Sequence, residues 1–243
     1  METAADPAIV EEISRIFRQH RLPLEPGQAQ AFAVYLALLE RWNASINLTS
    51  IRDRTMAIQR HFAEPAMAMQ LLGGAGPVIL CAGSGAGFPG LPFKILDPER
   101  ECVLVEANGK KATFMREVAE TLELEDVTVL EGRLEEMLAS GELEAESVNV
   151  LTARAWTGWA GLLGLGASLM VPGGRAVIFV GDETLRALRR HLTDSGEPPG
   201  DPEWAPAVDA GWTIRRIINL PHLDKGYAVS LELPQAEASM LPG

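Results

Sequence analysis

The sequence predicts an α/β protein: an open, mostly parallel sheet that ends in an antiparallel strand pair and is preceded by an all-helical segment. Three observations predict it. Apolar residues recur at helical spacing through residues 1–72, short apolar runs alternate with helix-like stretches from Gly73 onward, and two β-rich runs close the chain around a turn. Continuous apolar runs mark strands covered on both faces. Strands that alternate with helices are joined by right-handed crossovers, which makes their sheet parallel.

Ile9, Val10, Ile13, Ile16 and Phe17 define one face of a first helix, and Phe32, Tyr35, Leu36, Leu39 and Trp42 one face of a second. A third runs from an N-cap at Asp53 to Leu72, limited or kinked by Pro65. Strands are expected in PVILC, CVLVE, VTVL, VNVLTA and AVIFV, with helical stretches starting near Pro89, Gly109, Arg133, Trp156 and Asp182. The uncharged stretch from Ala155 to Gly174 is long enough to suggest a membrane span. Its glycines and proline, and the flanking Arg154 and Arg175 without basic asymmetry, make it a buried helix instead. Residues 193–210 are rich in proline, glycine and aspartate and read as a loop, after which WTIRRIINL and KGYAVSLEL form the final antiparallel pair through PHLD.

A chain of 243 residues with 47% apolar content buries one substantial core, with room for a smaller appended unit. Cys81 and Cys102 both sit in strand-like runs, as small buried hydrophobes rather than a disulfide or a metal site, which points to a reducing, cytoplasmic setting. No metal ligand set is expected. The N-terminus lacks the layout of a signal peptide. A net charge of -12 argues against nucleic acid for the chain as a whole. Its distribution qualifies that: Arg41, Arg52, Arg54, Arg60 and His61 face only Asp53 in their stretch, which leaves room for a local basic face.

In an open α/β sheet the ligand sits outside the carboxyl ends of the strands, at the switch point. There the first strand runs into ILCAGSGAGFPGLPF, where Gly83, Gly85 and Gly87 allow positive φ and close approach of a ligand to the backbone. Gly85 to Gly90 also spells the dinucleotide signature G-x-G-x-x-G. Glu106 ends the second strand, where an acid accepts hydrogen bonds from both ribose hydroxyls. Such an acid serves NAD and S-adenosylmethionine equally well.

RWNASINLTSIRD, RHF, GSGAGFPGLP, GRLEE, TARA and MVPGGR together resemble the RsmG (GidB) family over roughly residues 30 to 182. The resemblance implies a class I S-adenosylmethionine-dependent methyltransferase: a Rossmann-like seven-stranded sheet with its last strand antiparallel, and an N-terminal helical extension. Residues 1–72 would be that extension and residues 73–243 the S-adenosylmethionine-binding methyltransferase domain. It implies methyl transfer to N7 of a guanine in 16S ribosomal RNA, with the small ribosomal subunit or its assembly intermediate as partner, no membrane, and a monomer. By the same likeness Gly83 and Phe88 line the methionine and adenosine part of the cofactor, Leu134 and Glu135 flank the adenine, and Arg154 stands beside the cofactor and the target base. Three departures stand out: Cys81 replaces the family's usual aspartate, Val180 replaces a lysine, and VSLELPQAEASM stands where the family has a basic residue near the end, the last two removing positive charge from the expected RNA side. The alternatives are a methyltransferase acting on another RNA or a small molecule, and a cofactor-binding protein without catalysis.

Guanine N7 carries no proton, so its methylation requires no general base, in keeping with histidines (His61, His191, His222) scattered along the chain. Arg154 is the candidate catalytic residue, its guanidinium forking to guanine O6 or a phosphate, with a buried ion pair as the other reading. Arg52, Arg54, Arg60 and His61 form the expected RNA-facing rim, extended by Lys110, Lys111 and Arg116; a solvated helix face is the alternative for each.

Overall fold

A computed structural model describes residues 5–192, 201–221 and 226–236. Seven strands form one sheet: β1 (Val78–Ala82), β2 (Glu101–Glu106), β3 (Val127–Glu131), β4 (Val148–Arg154), β5 (Met170–Gly181), β6 (Thr213–Leu220) and β7 (Gly226–Glu232). Their order is β3-β2-β1-β4-β5-β7-β6. The first five are parallel to one another, and β7 runs antiparallel to both β5 and β6. The order reverses between β1 and β4, so the carboxyl ends of β1, β2 and β4 open a crevice at the switch point.

Alternate residues of the strands feed two cores, as a period of two requires. Leu80, Ala82, Val103, Val105, Leu151, Ala153, Ile178 and Val180 face one way. They meet α7 (Leu134–Ser140), α8 (Trp159–Leu169), α9 (Asp182–Leu192) and the short α10 (Ala205–Asp209). Cys81, Cys102 and Leu104 face the other way, against α1 (Pro7–Gln19), α2 (Gln28–Asn43), α3 (Arg54–Ile58) and α6 (Gly109–Thr121). Further along that face, Phe93 of α5 (Gly90–Leu96) and Ala68 of α4 (Glu64–Ala68) pack on Ile79, Val150 and Phe179. The N-terminal helices are therefore one layer of the sandwich.

The predicted third helix is a composite. Asp53 caps α3 by accepting from the Met56 backbone N–H at 2.7 Å. The chain then widens into a π-helical turn, Gln59–Ala63, before α4 and a 3₁₀ turn, Met69–Leu71. Two more expectations change. The uncharged stretch divides into α8 and the start of β5, and among the described residues no helix is long and apolar enough to cross a membrane. The expected loop over 193–210 contains a 3₁₀ turn, Pro202–Trp204, followed by α10. Asp201 accepts from the Glu203 N–H at 3.0 Å, and the buried Trp204 stacks on His191, so local capping and one aromatic anchor override a loop-like composition. Residues 193–200 and His222 lie outside the described residues.

Candidate active site

The glycine loop after β1 is bonded on three sides. The Ser84 backbone N–H donates to the Val105 carbonyl at 3.0 Å, and the Gly87 and Phe88 N–H groups turn back onto the Ser84 carbonyl. The Gly85 N–H donates to Glu106 Oε2 at 2.8 Å, while the Asn108 N–H donates to Oε1 at 2.9 Å. From the helical layer, the Tyr35 hydroxyl donates to the Ala86 carbonyl. Gly83, Gly85 and Gly87 all have positive φ, at 59°, 60° and 91°. At Gly87 the close approach is internal, since an added Cβ would lie 2.6 Å from the Tyr35 hydroxyl.

A cleft of about 420 Å³ opens at the switch point. Gly83 and Trp156 form one wall, Glu106 and Ala107 the floor at the end of β2, and Arg133, Leu134 and Glu135 the side after β3. Arg154 and the positive-φ Ala155 close it at the end of β4. The Trp156 ring covers Gly83 so closely that a Cβ there would lie 2.8 Å from it. Of the residues the sequence singles out, Gly83, Glu106, Leu134, Glu135 and Arg154 thus meet in one place. Gly85 and Gly87 stand behind them, shaping the loop and orienting Glu106.

Phe88 does not reach the cleft. Its ring is 7% exposed and is stacked between Tyr35 and His61, in the latter case with centroids 4.1 Å apart and planes within 3°. His61 in turn is not on a rim: it is 6% exposed, with Nε2 3.1 Å from Thr49 Oγ1. Arg60, beside it, faces the buried Glu64 at 3.2 Å. Arg52 and Arg54 are exposed, but Arg54 grips Glu40 with both Nε (2.8 Å) and Nη2 (3.0 Å), and the two arginines line a separate groove with Asn43 and Thr49. Lys110 is exposed at the start of α6, where Asn108 caps the helix. Cys81 is a free, fully buried thiol, pushed up to about 11 by burial, in the helical-layer core and away from the cleft. Val180 likewise is buried, in the core that α9 covers.

Arg154 is both of the things considered for it, a cleft residue and half of an ion pair. Its Nη2 donates to Glu64 Oε2 at 3.0 Å, its Nη1 to the Arg60 carbonyl, and its guanidinium lies 5.8 Å from the Phe179 ring centroid. A guanidinium has five N–H donors, so the two bonds leave others for a ligand. Burial opposes charge throughout this cluster. It raises Glu64 above the usual carboxylate range although Arg154 and Arg60 pull the other way, and it lowers Arg154 to about 10 against the pull of Glu64.

Burial also holds the His61 imidazole down, from 6.5 to about 3, assisted by the positive charges of Arg154 and Arg60. Because the folded value lies below the unfolded one, the unfolded chain takes up the proton first as the pH falls. The fold should therefore lose stability below pH 6.5, by about 1.4 kcal/mol per pH unit until His61 itself titrates near 3. Urea unfolding near pH 6.5 and near pH 4.5 checks this. His61→Gln, which can still bond Thr49 but cannot titrate, should lose roughly 2.5 kcal/mol less than the parent over that interval. Equal losses would assign the acid sensitivity to another group.

Sequence reasoning missed four contributors. Tyr35 reads as an ordinary core residue of an amphipathic helix, and Glu64 as one acid among many. Trp156 follows a motif without belonging to it, and Arg133 lies inside GRLEE without a role of its own suggested by it. The available signals were adjacency to TARA for Trp156 and membership of GRLEE for Arg133.

Comparison with known proteins agrees with this geometry. Residues 28–195 match the family model of rRNA small subunit methyltransferase G. A Ribosomal RNA small subunit methyltransferase G from Roseiflexus castenholzii is 40% identical over 230 residues, covering 93% of this chain and 97% of the relative. One from Xanthomonas oryzae pv. oryzae is 34% identical, covering 83% and 84%. In fold, the chain is similar to a SAM dependent methyltransferase from Aquifex aeolicus, with a TM-score of 0.52 at 19% identity over 73% of this chain and 93% of the other. A family model that spans most of the sheet and both walls of the cleft, with relatives matched along nearly their whole length, places this chain in the rRNA small subunit methyltransferase G family.

Proposed function

We propose that the chain transfers a methyl group from S-adenosylmethionine to N7 of a guanine in 16S ribosomal RNA, as a cytoplasmic monomer acting on the small subunit or its assembly intermediate. Membership of its family makes it an S-adenosylmethionine-dependent rRNA methyltransferase. The cleft residues fit that cofactor. Glu106 carries the reading: each of its oxygens accepts one backbone N–H, and the carboxylate keeps lone pairs for a pair of ribose hydroxyls. Gly83 offers bare backbone beside it, and Leu134 with Glu135 provides an apolar and an acceptor contact for the adenine. The volume is within the range of sites for ligands of this size, about 300–1,000 Å³.

The bound cofactor supplies an electrophilic methyl group on a sulfonium. The protein's part is orientation. Guanine N7 presents a free in-plane lone pair, so no side chain has to remove a proton, and the cleft needs only to hold the reacting atoms about 3–3.5 Å apart. Arg154 directs its remaining N–H donors at the base, where O6 accepts them, and its charge shapes the field as positive charge leaves the sulfur. We assign the RNA side to residues 1–72 with the start of α6, through the exposed Arg52, Arg54 and Lys110 and the half-buried Lys111, and the cofactor side to residues 73–243. Arg60 and His61 act from behind that face.

The test is mass mapping of 7-methylguanosine in 16S rRNA from cells with and without the gene. One site should lose its modification in the deletion and regain it on complementation. An unchanged map, or a lost methyl at a proton-bearing position, would overturn the assignment.

A further inference from the structure

The widened turn Gln59–Ala63 leaves one backbone carbonyl without a partner inside its helix. In an α-helix the Arg60 carbonyl would accept from the N–H of residue 64, but the Glu64 N–H donates to Gln59 instead. In the widened register Arg60 would accept from residue 65, and residue 65 is proline, which has no N–H. The vacant carbonyl is the one to which Arg154 Nη1 donates. The same turn places Glu64, wholly buried, where it receives Nη2. Two fixed acceptors one turn apart thus set the direction of a guanidinium that lines the cleft from the end of β4.

We propose that Pro65 is a positioning residue for methyl transfer: it keeps the Arg60 carbonyl free of helix bonding, and that carbonyl aims Arg154 at the acceptor base. The inference rests on the role given to Arg154 above. A proline inside a helix is otherwise unfavourable, and a helix of this length could begin or end without one. Pro65 is buried and is not among the residues that line the cleft. Its influence passes through the carbonyl of Arg60 alone.

Pro65→Ala restores an N–H that competes with Arg154 for that carbonyl. Under single-turnover conditions its methyl-transfer rate should fall about 10- to 100-fold, in line with a misdirected group, while cofactor affinity by calorimetry and the unfolding midpoint stay at or above the parent's. Placing L-lactic acid at position 65 in a translation system gives the side chain of alanine without the N–H, and should restore the parent rate. In an Arg154→Ala background, Pro65→Ala should have no further effect, as a double-mutant cycle requires of residues acting as one unit. Equal slowing by alanine and lactic acid, or additive losses in the cycle, would overturn the proposal. If Pro65→Ala fails to fold, the lactic acid variant decides alone, by keeping or losing the parent rate. If Arg154→Ala slows transfer and Pro65→Ala does not, the positioning role falls while the role of Arg154 stands. Should Arg154→Ala leave the rate untouched, both fall together.

Discussion

Gly83→Val is expected to abolish measurable S-adenosylmethionine binding, a loss of 100-fold or more by calorimetry, while the protein still unfolds cooperatively. Gly83 is the loop glycine that lines the cleft, and its missing side chain is what lets the Trp156 ring and a ligand share the wall. A branched side chain there would push the ring out of place and fill the approach to the backbone. The φ of +59° adds strain of about 1–2 kcal/mol for any L side chain. Gly27 controls for that strain. It has a φ of +90°, nothing within 4 Å of an added Cβ, and a place at the start of α2 that the cleft does not include. Gly27→Ala should lower stability by a similar amount and leave affinity unchanged. Equal affinity in the Gly83 variant and the parent would move the ligand off this loop.

Arg154→Ala should slow single-turnover methyl transfer by about 100-fold or more, the range found when one preorganised donor is removed from a transition state. Lysine at the same position should recover only part of it, since a point charge cannot hold Glu64, the Arg60 carbonyl and a base edge in one plane. Over about pH 6.5 to 9 the parent rate should stay level. His61, lowered to about 3, is neutral there, and Arg154, lowered only to about 10, remains charged. A bend on the acid side would belong to Glu64, the group that burial raises, and Glu64→Gln would remove it. A rate that climbs through pH 7 with a single ionisation would instead mean that the chemical step takes a proton, and would exclude N7 as the nucleophile.

The sheet was legible because its central strands are apolar on both faces, and the cleft because glycine at alternate positions after a strand has few other uses. Periodicity failed where it carries no information. From Trp159 to Gly174 the chain carries no charge, so the point where α8 ends and β5 begins leaves no mark in the pattern. The role of His61 was hidden for a different reason. In sequence it stands among arginines and reads as basic surface, whereas its environment comes from Phe88 and Thr49, brought to it by folding. The same holds for Glu64 and Arg154, whose pairing spans 90 positions. Pro65 did announce an irregular helix. That the irregularity is a π turn with a spare carbonyl depends on which N–H goes where, and composition does not encode it.

The bond from the Tyr35 hydroxyl to the Ala86 carbonyl joins α2 to the backbone of the glycine loop. Its consequence is thermodynamic reciprocity. If, as proposed, rRNA holds α2 in this docked position and the cofactor holds the loop, whatever one ligand contributes to the other's binding is returned by the same factor. The two ligands need never touch for each to raise the other's residence on the protein. Tyr35→Phe, which keeps the ring among Phe62, Phe88 and Phe114 and removes only the hydroxyl, is the variant in which that mutual gain would shrink while each ligand's separate affinity changed least.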